Sequence, residues 1–196
     1  MPEASEPLRD LLKKEARAYA YQVRGLWPGI KVPSVIAHQI EPGDLTGWST
    51  DDLAILTQHA REQLQRQRAD IEAIRQRAQF LFSTCLAALG LLGLAMPQTA
   101  ATILGFGLSC LAASLILVSL LGGASVIVAR KDLRMVDAAH LSTFDPPVGP
   151  LLARGLAMSI GDGENTVATL ITVYRDAVLL LIIGMAVFAG TFLATF

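Results

Sequence analysis

The sequence predicts an all-α, polytopic membrane protein with three transmembrane helices and a cytosolic helical stalk region. Charge distribution is the first reason: the chain of 196 residues holds 16 Lys or Arg and 17 Asp or Glu, yet none lies in Ala78–Ala129 or Ala177–Phe196. A bilayer's hydrocarbon core takes about 20 apolar residues to cross, so the first block has room for two spans and the second for one. Composition is the other reason. Hydrophobic residues make up 53% of the chain, without any repeat or collagen-like bias, which together with the two uncharged blocks reads as a polytopic membrane protein with a soluble part rather than an ordinary soluble globular domain.

The elements follow in order. Met1–Leu12 carries Pro2, Glu3, Glu6, Pro7, Arg9 and Asp10 where a secretory signal needs a basic start and an apolar run, so the first span is expected to direct insertion itself. Ser5 and Pro7 supply a cap and an early proline, and a helix is predicted from about Pro7 to Arg24. Its apolar residues Leu8, Leu11, Leu12, Ala16, Tyr19 and Val23 recur at steps of three and four, with Lys13, Lys14, Arg17 and Arg24 around them. That basic amphipathic helix fits either the anionic cytoplasmic leaflet or a docking place on its own protein. Gly25–Trp48, interrupted by Pro28, Pro33 and Pro42, reads as a linker with one short strand near Val35–Ile40. Residues 1–48 thus form a cytosolic helix plus linker.

Ser49-Thr50-Asp51-Asp52 reads as a cap with acidic first-turn residues, and no Gly or Pro follows until Gly90. A single helix is predicted, with residues 49–79 as a wet stalk. Leu53, Leu56, Ala60, Leu64, Ile71, Ile74 and Ala78 form its stripe; Gln63, Gln65, Gln67, Arg66, Arg68 and Asp70 interrupt or flank it, leaving a two-heptad seam that suits either a coiled coil or packing against the protein's other cytosolic helices. Residues 80–129 form a hairpin of two spans, Phe80–Met96 and about Ala101–Ala129, turned by Pro97-Gln98-Thr99. Residues 130–176 return through the cytosol: a helical continuation to about His140, a break at Asp145-Pro146-Pro147, a ten-residue apolar helix Leu151–Ile160, and punctuation at Gly161-Asp162-Gly163. A helix from Glu164 enters the third span, 177–196.

Orientation follows from the basic residues. Eleven Lys and Arg precede the first span, five lie between the second and third, and none occupies the Pro97 turn or the C-terminus. Cytoplasmic segments carry the Lys and Arg excess. The N-terminus and the 130–176 segment are therefore expected in the cytosol, with the Pro97 turn and Phe196 outside, in the cell (inner) membrane.

The spans hold no ionisable group, which argues against proton-coupled transport and voltage sensing. Ser83, Thr84, Ser109, Ser114 and Ser119 are polar groups able to bond across helices or to satisfy their own preceding carbonyls. Gly105, Ser109 and Ala113 form a ridge of small residues at four-residue spacing, and Ala186, Gly190 and Ala194 form another. Such ridges let helix backbones approach, within one protomer or between copies, and alanine-rich spans also produce them by chance. Gly122-Gly123 is a candidate kink. Cys85 and Cys110 both lie in the uncharged block, which excludes a disulfide framework.

No phosphate loop, dinucleotide fingerprint, metalloprotease His pair or nucleophile elbow occurs. His38 lacks a second ligand at metal spacing, His59 and His140 stand as surface residues, and Asp162 and Glu164 are expected to cap a helix. No catalytic, cofactor or metal-binding residue is assigned. Near-neutral charge argues against nucleic acid.

From about Thr50 onward, the stalk-to-span helix, short external hairpin and charged cytosolic return resemble the small bacterial membrane effectors of nucleotide-triggered defence, the SLATT and Pycsar transmembrane groups. Arg75-Gln76-Arg77-Ala78-Gln79-Phe80-Leu81 is similar in placement to their polar-to-apolar junction. That resemblance implies oligomerisation and membrane disruption. Twelve Arg against four Lys also suits a GC-rich bacterial genome. The expected function is a non-enzymatic, self-associating membrane-anchored interaction or effector module. The partners would be the lipid bilayer, further copies of the chain, and a cytosolic protein or small-molecule trigger. The alternatives are a small pore or transport accessory subunit, or a membrane enzyme.

Overall fold

The computed structural model describes residues 8–26, 45, 47–99, 102–128 and 149–194, and all the regular structure among them is helical. Helix α1 is Leu8–Arg24, α2 Thr50–Thr99, α3 Ile103–Val128 and α4 Gly149–Ala194. Three of them, α2, α3 and α4, are long and apolar enough to cross a membrane. The expected strand at Val35–Ile40, His38, His140, the continuation after Ala129 and the Asp145-Pro146-Pro147 break lie outside the described residues.

Local chemistry explains where the helices begin. The Ser49 hydroxyl accepts the Asp52 amide at 3.2 Å and donates to the Asp52 carboxylate at 2.6 Å, closing the first turn of α2. Thr102 does the same for α3, its hydroxyl accepting the Gly105 amide at 3.0 Å. At the far end of α2 the expected turn at Pro97-Gln98-Thr99 is instead the last helical turn. Proline lacks an N–H, so the Gly93 carbonyl gets no helical partner there, and the helix stops two residues later.

The chain divides into two units. One holds Met1–Pro33, Ile74–Ala129 and Leu170–Phe196, the other Ser34–Ala73 and Arg130–Thr169. In the first, the apolar part of α2 packs with α3 and α4 around Leu81, Cys85, Ala88, Leu92, Ala112, Ile116, Ala177 and Leu181. On α2 the buried residues Gln67, Ile71, Ile74, Ala78, Leu81, Cys85, Ala88 and Leu92 alternate steps of four and three. That is the 3.5-residue spacing of a coiled-coil seam. It is longer than the sequence pattern suggested, which ended at Ala78, because Gln67 and, beyond Ala78, Leu81, Cys85, Ala88 and Leu92 also belong to it.

The second unit contains the polar part of α2 and the start of α4. Leu151–Ile160 is helical as expected, with Ala153 and Leu156 buried. The expected break at Gly161-Asp162-Gly163 is absent: α4 continues through it as helix, so Asp162 and Glu164 lie in mid-helix and cap nothing. Two glycines cost a helix roughly 2 kcal/mol relative to alanine. Contacts from α2 offset that cost. Gln63 donates to the Glu164 carboxylate at 3.0 Å, Gln67 donates to the Ile160 carbonyl at 3.1 Å, and Gly163 is buried against the Gln67 amide, which a Cβ there would strike.

Candidate functional site

The polar groups of the first unit cluster at two levels of the helix bundle. At one level Ser119, fully buried at 0% exposure, donates to the Ala177 carbonyl of α4 at 2.7 Å. With its proton committed there, its oxygen accepts the Cys85 thiol of α2 at 3.4 Å. One hydroxyl therefore ties three helices together. The neighbouring turn of α3 receives α1, whose Tyr19 hydroxyl donates to the Val118 carbonyl at 2.6 Å. Gly122 makes this possible: a Cβ at that position would collide with the Tyr19 ring and hydroxyl. Burial, reinforced by the nearby Asp176 carboxylate, pushes the Tyr19 phenol above its usual range, so it remains a neutral donor.

This level coincides with the border of charge on both neighbouring helices. An added Gly123 Cβ would lie 3.6 Å from the Ala78 carbonyl, one residue beyond Arg77, the last charge of α2. Ser119 bonds Ala177, one residue beyond Asp176. The Val118–Gly123 turn, Ala78 and Ala177 thus mark one height, at which the uncharged part of the bundle begins.

The second level lies at the other end of α2. Ser109 donates to the Thr99 hydroxyl at 3.0 Å, and Thr99 leans on the Ala95 and Met96 carbonyls at 3.4 and 3.3 Å. A Cβ on Gly105 would strike the Thr99 carbonyl. Gly105 and Ser109 are buried and Ala113 is partly buried against the core, so this ridge faces inward. Ala186, Gly190 and Ala194 are exposed, and among the described residues nothing lies within 4 Å of a Cβ built on Gly190. The two ridges do not meet within the protomer.

Of the five hydroxyl residues singled out in the sequence, Ser109 and Ser119 bond outside their own helical turn. Ser83, Thr84 and Ser114 donate to Gln79, Phe80 and Cys110, each four residues back. The Gly122-Gly123 pair lies within the helical span of α3 and provides contact surfaces for Tyr19 and for α2. Gly184 was not foreseen: its Cβ would meet Ile116 at 2.9 Å and the Ala112 carbonyl at 3.3 Å, so it sets the approach of α4 to α3. Its place between Leu181 and Thr191 on the buried stripe of α4 was the available signal. Ala16 was expected on the buried face of α1 but is exposed; Gln22 takes that face instead. His59 is exposed, 3.8 Å from Glu62. Among the described residues no group of three or more His, Cys, Asp or Glu could hold a metal ion.

Compared with known proteins, the chain matches no family model, no curated protein and no solved structure.

Proposed function

We propose that this protein is a three-span integral membrane protein that self-associates and acts as a non-enzymatic, membrane-anchored interaction or effector module, in the manner of the SLATT and Pycsar transmembrane groups. The N-terminus and the 130–176 segment face the cytosol, and Phe196 faces outward. One observation carries the membrane reading: the helix bundle is small inside and large outside. Ala78, Cys85, Ala112 and Ala177 are completely buried, while Leu94, Ile103, Leu104 and Leu193 are each at least three-quarters exposed. Water would penalise such a surface, whereas hydrocarbon accommodates it and leaves helix association to close backbone packing between small residues. The one-sided placement of Lys and Arg supports the orientation. The open Ala186–Gly190–Ala194 face supports assembly through α4.

The test is extraction and mass. The chain should stay with the membrane until detergent is added, and detergent-corrected mass should exceed that of a monomer. A reporter fused after Phe196 should be active only outside the cytoplasm. Liposomes holding a self-quenched dye measure membrane disruption. A chain that stays folded without detergent would remove the membrane reading, and a leak-free monomer would remove the effector reading.

A further inference from the structure

Helix α1 carries a face that the helix bundle does not use. Lys13, Arg17, Tyr21 and Arg24 recur at steps of four, four and three, so they form one stripe, and all four are exposed. Tyr19, bonded to α3, and the buried Gln22 lie on the opposite face of the helix. The described carboxylate beside the stripe is Asp10, 3.9 Å from Lys13. The height of the stripe follows from the Tyr19 contact, which lies where the charges of α2 and α4 give way to uncharged spans. Counting outward along α3, Ile103 to Gly122 is about 30 Å at 1.5 Å per residue, the thickness of a hydrocarbon core. Arg17, Tyr21 and Arg24 are within about a turn and a half of Tyr19, so they fall in the headgroup layer.

We propose that the Lys13–Arg17–Tyr21–Arg24 stripe is a binding surface for anionic phospholipid headgroups at the inner border of the spans. This rests on the three-span reading. Guanidinium groups bind phosphate oxygens through paired donors, tyrosine partitions to the membrane–water border, and cytoplasmic leaflets carry anionic lipid that attracts basic residues. The Tyr19 clip holds these groups at headgroup height, so they need not search for it.

The full-length chain in neutral detergent is titrated with phosphatidylglycerol and, separately, with phosphatidylcholine, and bound lipid is counted by mass spectrometry of the intact protein. Wild type should bind phosphatidylglycerol about tenfold more tightly. Lys13→Gln/Arg17→Gln/Arg24→Gln should bind both lipids equally, and Arg17→Lys/Arg24→Lys should keep most of the preference. Arg61→Gln/Arg66→Gln, which removes charge from the polar part of α2, should leave it unchanged. Retained preference in the triple variant, or equal loss in the α2 variant, would overturn the assignment. So would displacement of the lipid by water-soluble glycerophosphoglycerol, which would indicate a site for free anions. Failure of the membrane reading appears separately, as a chain soluble without detergent.

Discussion

Replacing Gly122 with alanine should change sign according to what stands at position 19. An Ala in a helix interior gains about 1 kcal/mol over Gly. At Gly122 the added methyl occupies the space of the Tyr19 ring, so the tyrosine must leave. That forfeits its bond to Val118, worth about 1 kcal/mol, and the burial of half an aromatic ring, roughly another 1 to 2 kcal/mol. In the wild-type background Gly122→Ala should therefore destabilise by about 1 to 2 kcal/mol. With Tyr19→Ala already present only the helix gain remains, so the same substitution should stabilise by about 1 kcal/mol. The coupling across this double-mutant cycle is then about 2 to 3 kcal/mol. Unfolding in mixed micelles, titrated with a denaturing detergent and followed by circular dichroism, supplies the free energies. Trypsin cleavage after Arg17, faster when α1 is undocked, supplies the structural readout. If Gly122→Ala has the same sign and size in both backgrounds, the aromatic ring does not sit on the glycine and the docking of α1 is wrong.

Three further substitutions probe the rest of the molecule. Gln67 is buried and donates to the Ile160 carbonyl, so Gln67→Met should cost about 1 kcal/mol; a gain of that size would show that its unpaired side-chain carbonyl outweighs the bond to α4. Ser119→Ala deletes the donor to Ala177 and the acceptor for Cys85 but leaves almost no cavity. It should cost about 0.6 and at most about 1.7 kcal/mol, measured by the same unfolding titration, and a larger loss would mean that the hydroxyl organises more than these two contacts. Gly190 borders open space in the protomer, so Gly190→Leu should leave monomer folding intact and lower the assembled mass in detergent. Unchanged mass would remove the α4 ridge as an interface.

How much of this was legible in the sequence depends on which solvent wrote the pattern. In the polar part of α2, water forces apolar residues onto one face, and Ala60, Leu64, Ile71 and Ile74 announced it. Beyond Ala78 every face is apolar, so hydrophobic periodicity disappears as a signal. The packing there is encoded by size: Ala78, Cys85, Ala88, Ala112 and Ala177 turn inward while Phe80, Leu86 and Leu91 turn outward. A size period along α2 would have extended the seam past Ala78 into the apolar half of the helix, whereas the polarity of Gln67 hid its place on the seam. The Gly161-Asp162-Gly163 segment was misjudged for a related reason. Turn residues were weighed by local propensity, about 1 kcal/mol per glycine, while the partners that reverse the balance lie far away in sequence. Gln63 and Gln67 stand about 100 residues before the glycines that they steady. Tyr19 shows the same distance effect, since its partner on α3 is 99 residues away. The ridges illustrate the opposite limit. Both were visible as small residues four apart, but only neighbours decide their use: Thr99 covers Gly105 and Ser109, whereas none of the described residues comes within 4 Å of a Cβ on Gly190. A ridge already filled has no capacity left for a second copy, so of these two ridges the one on α4 is the one open to assembly.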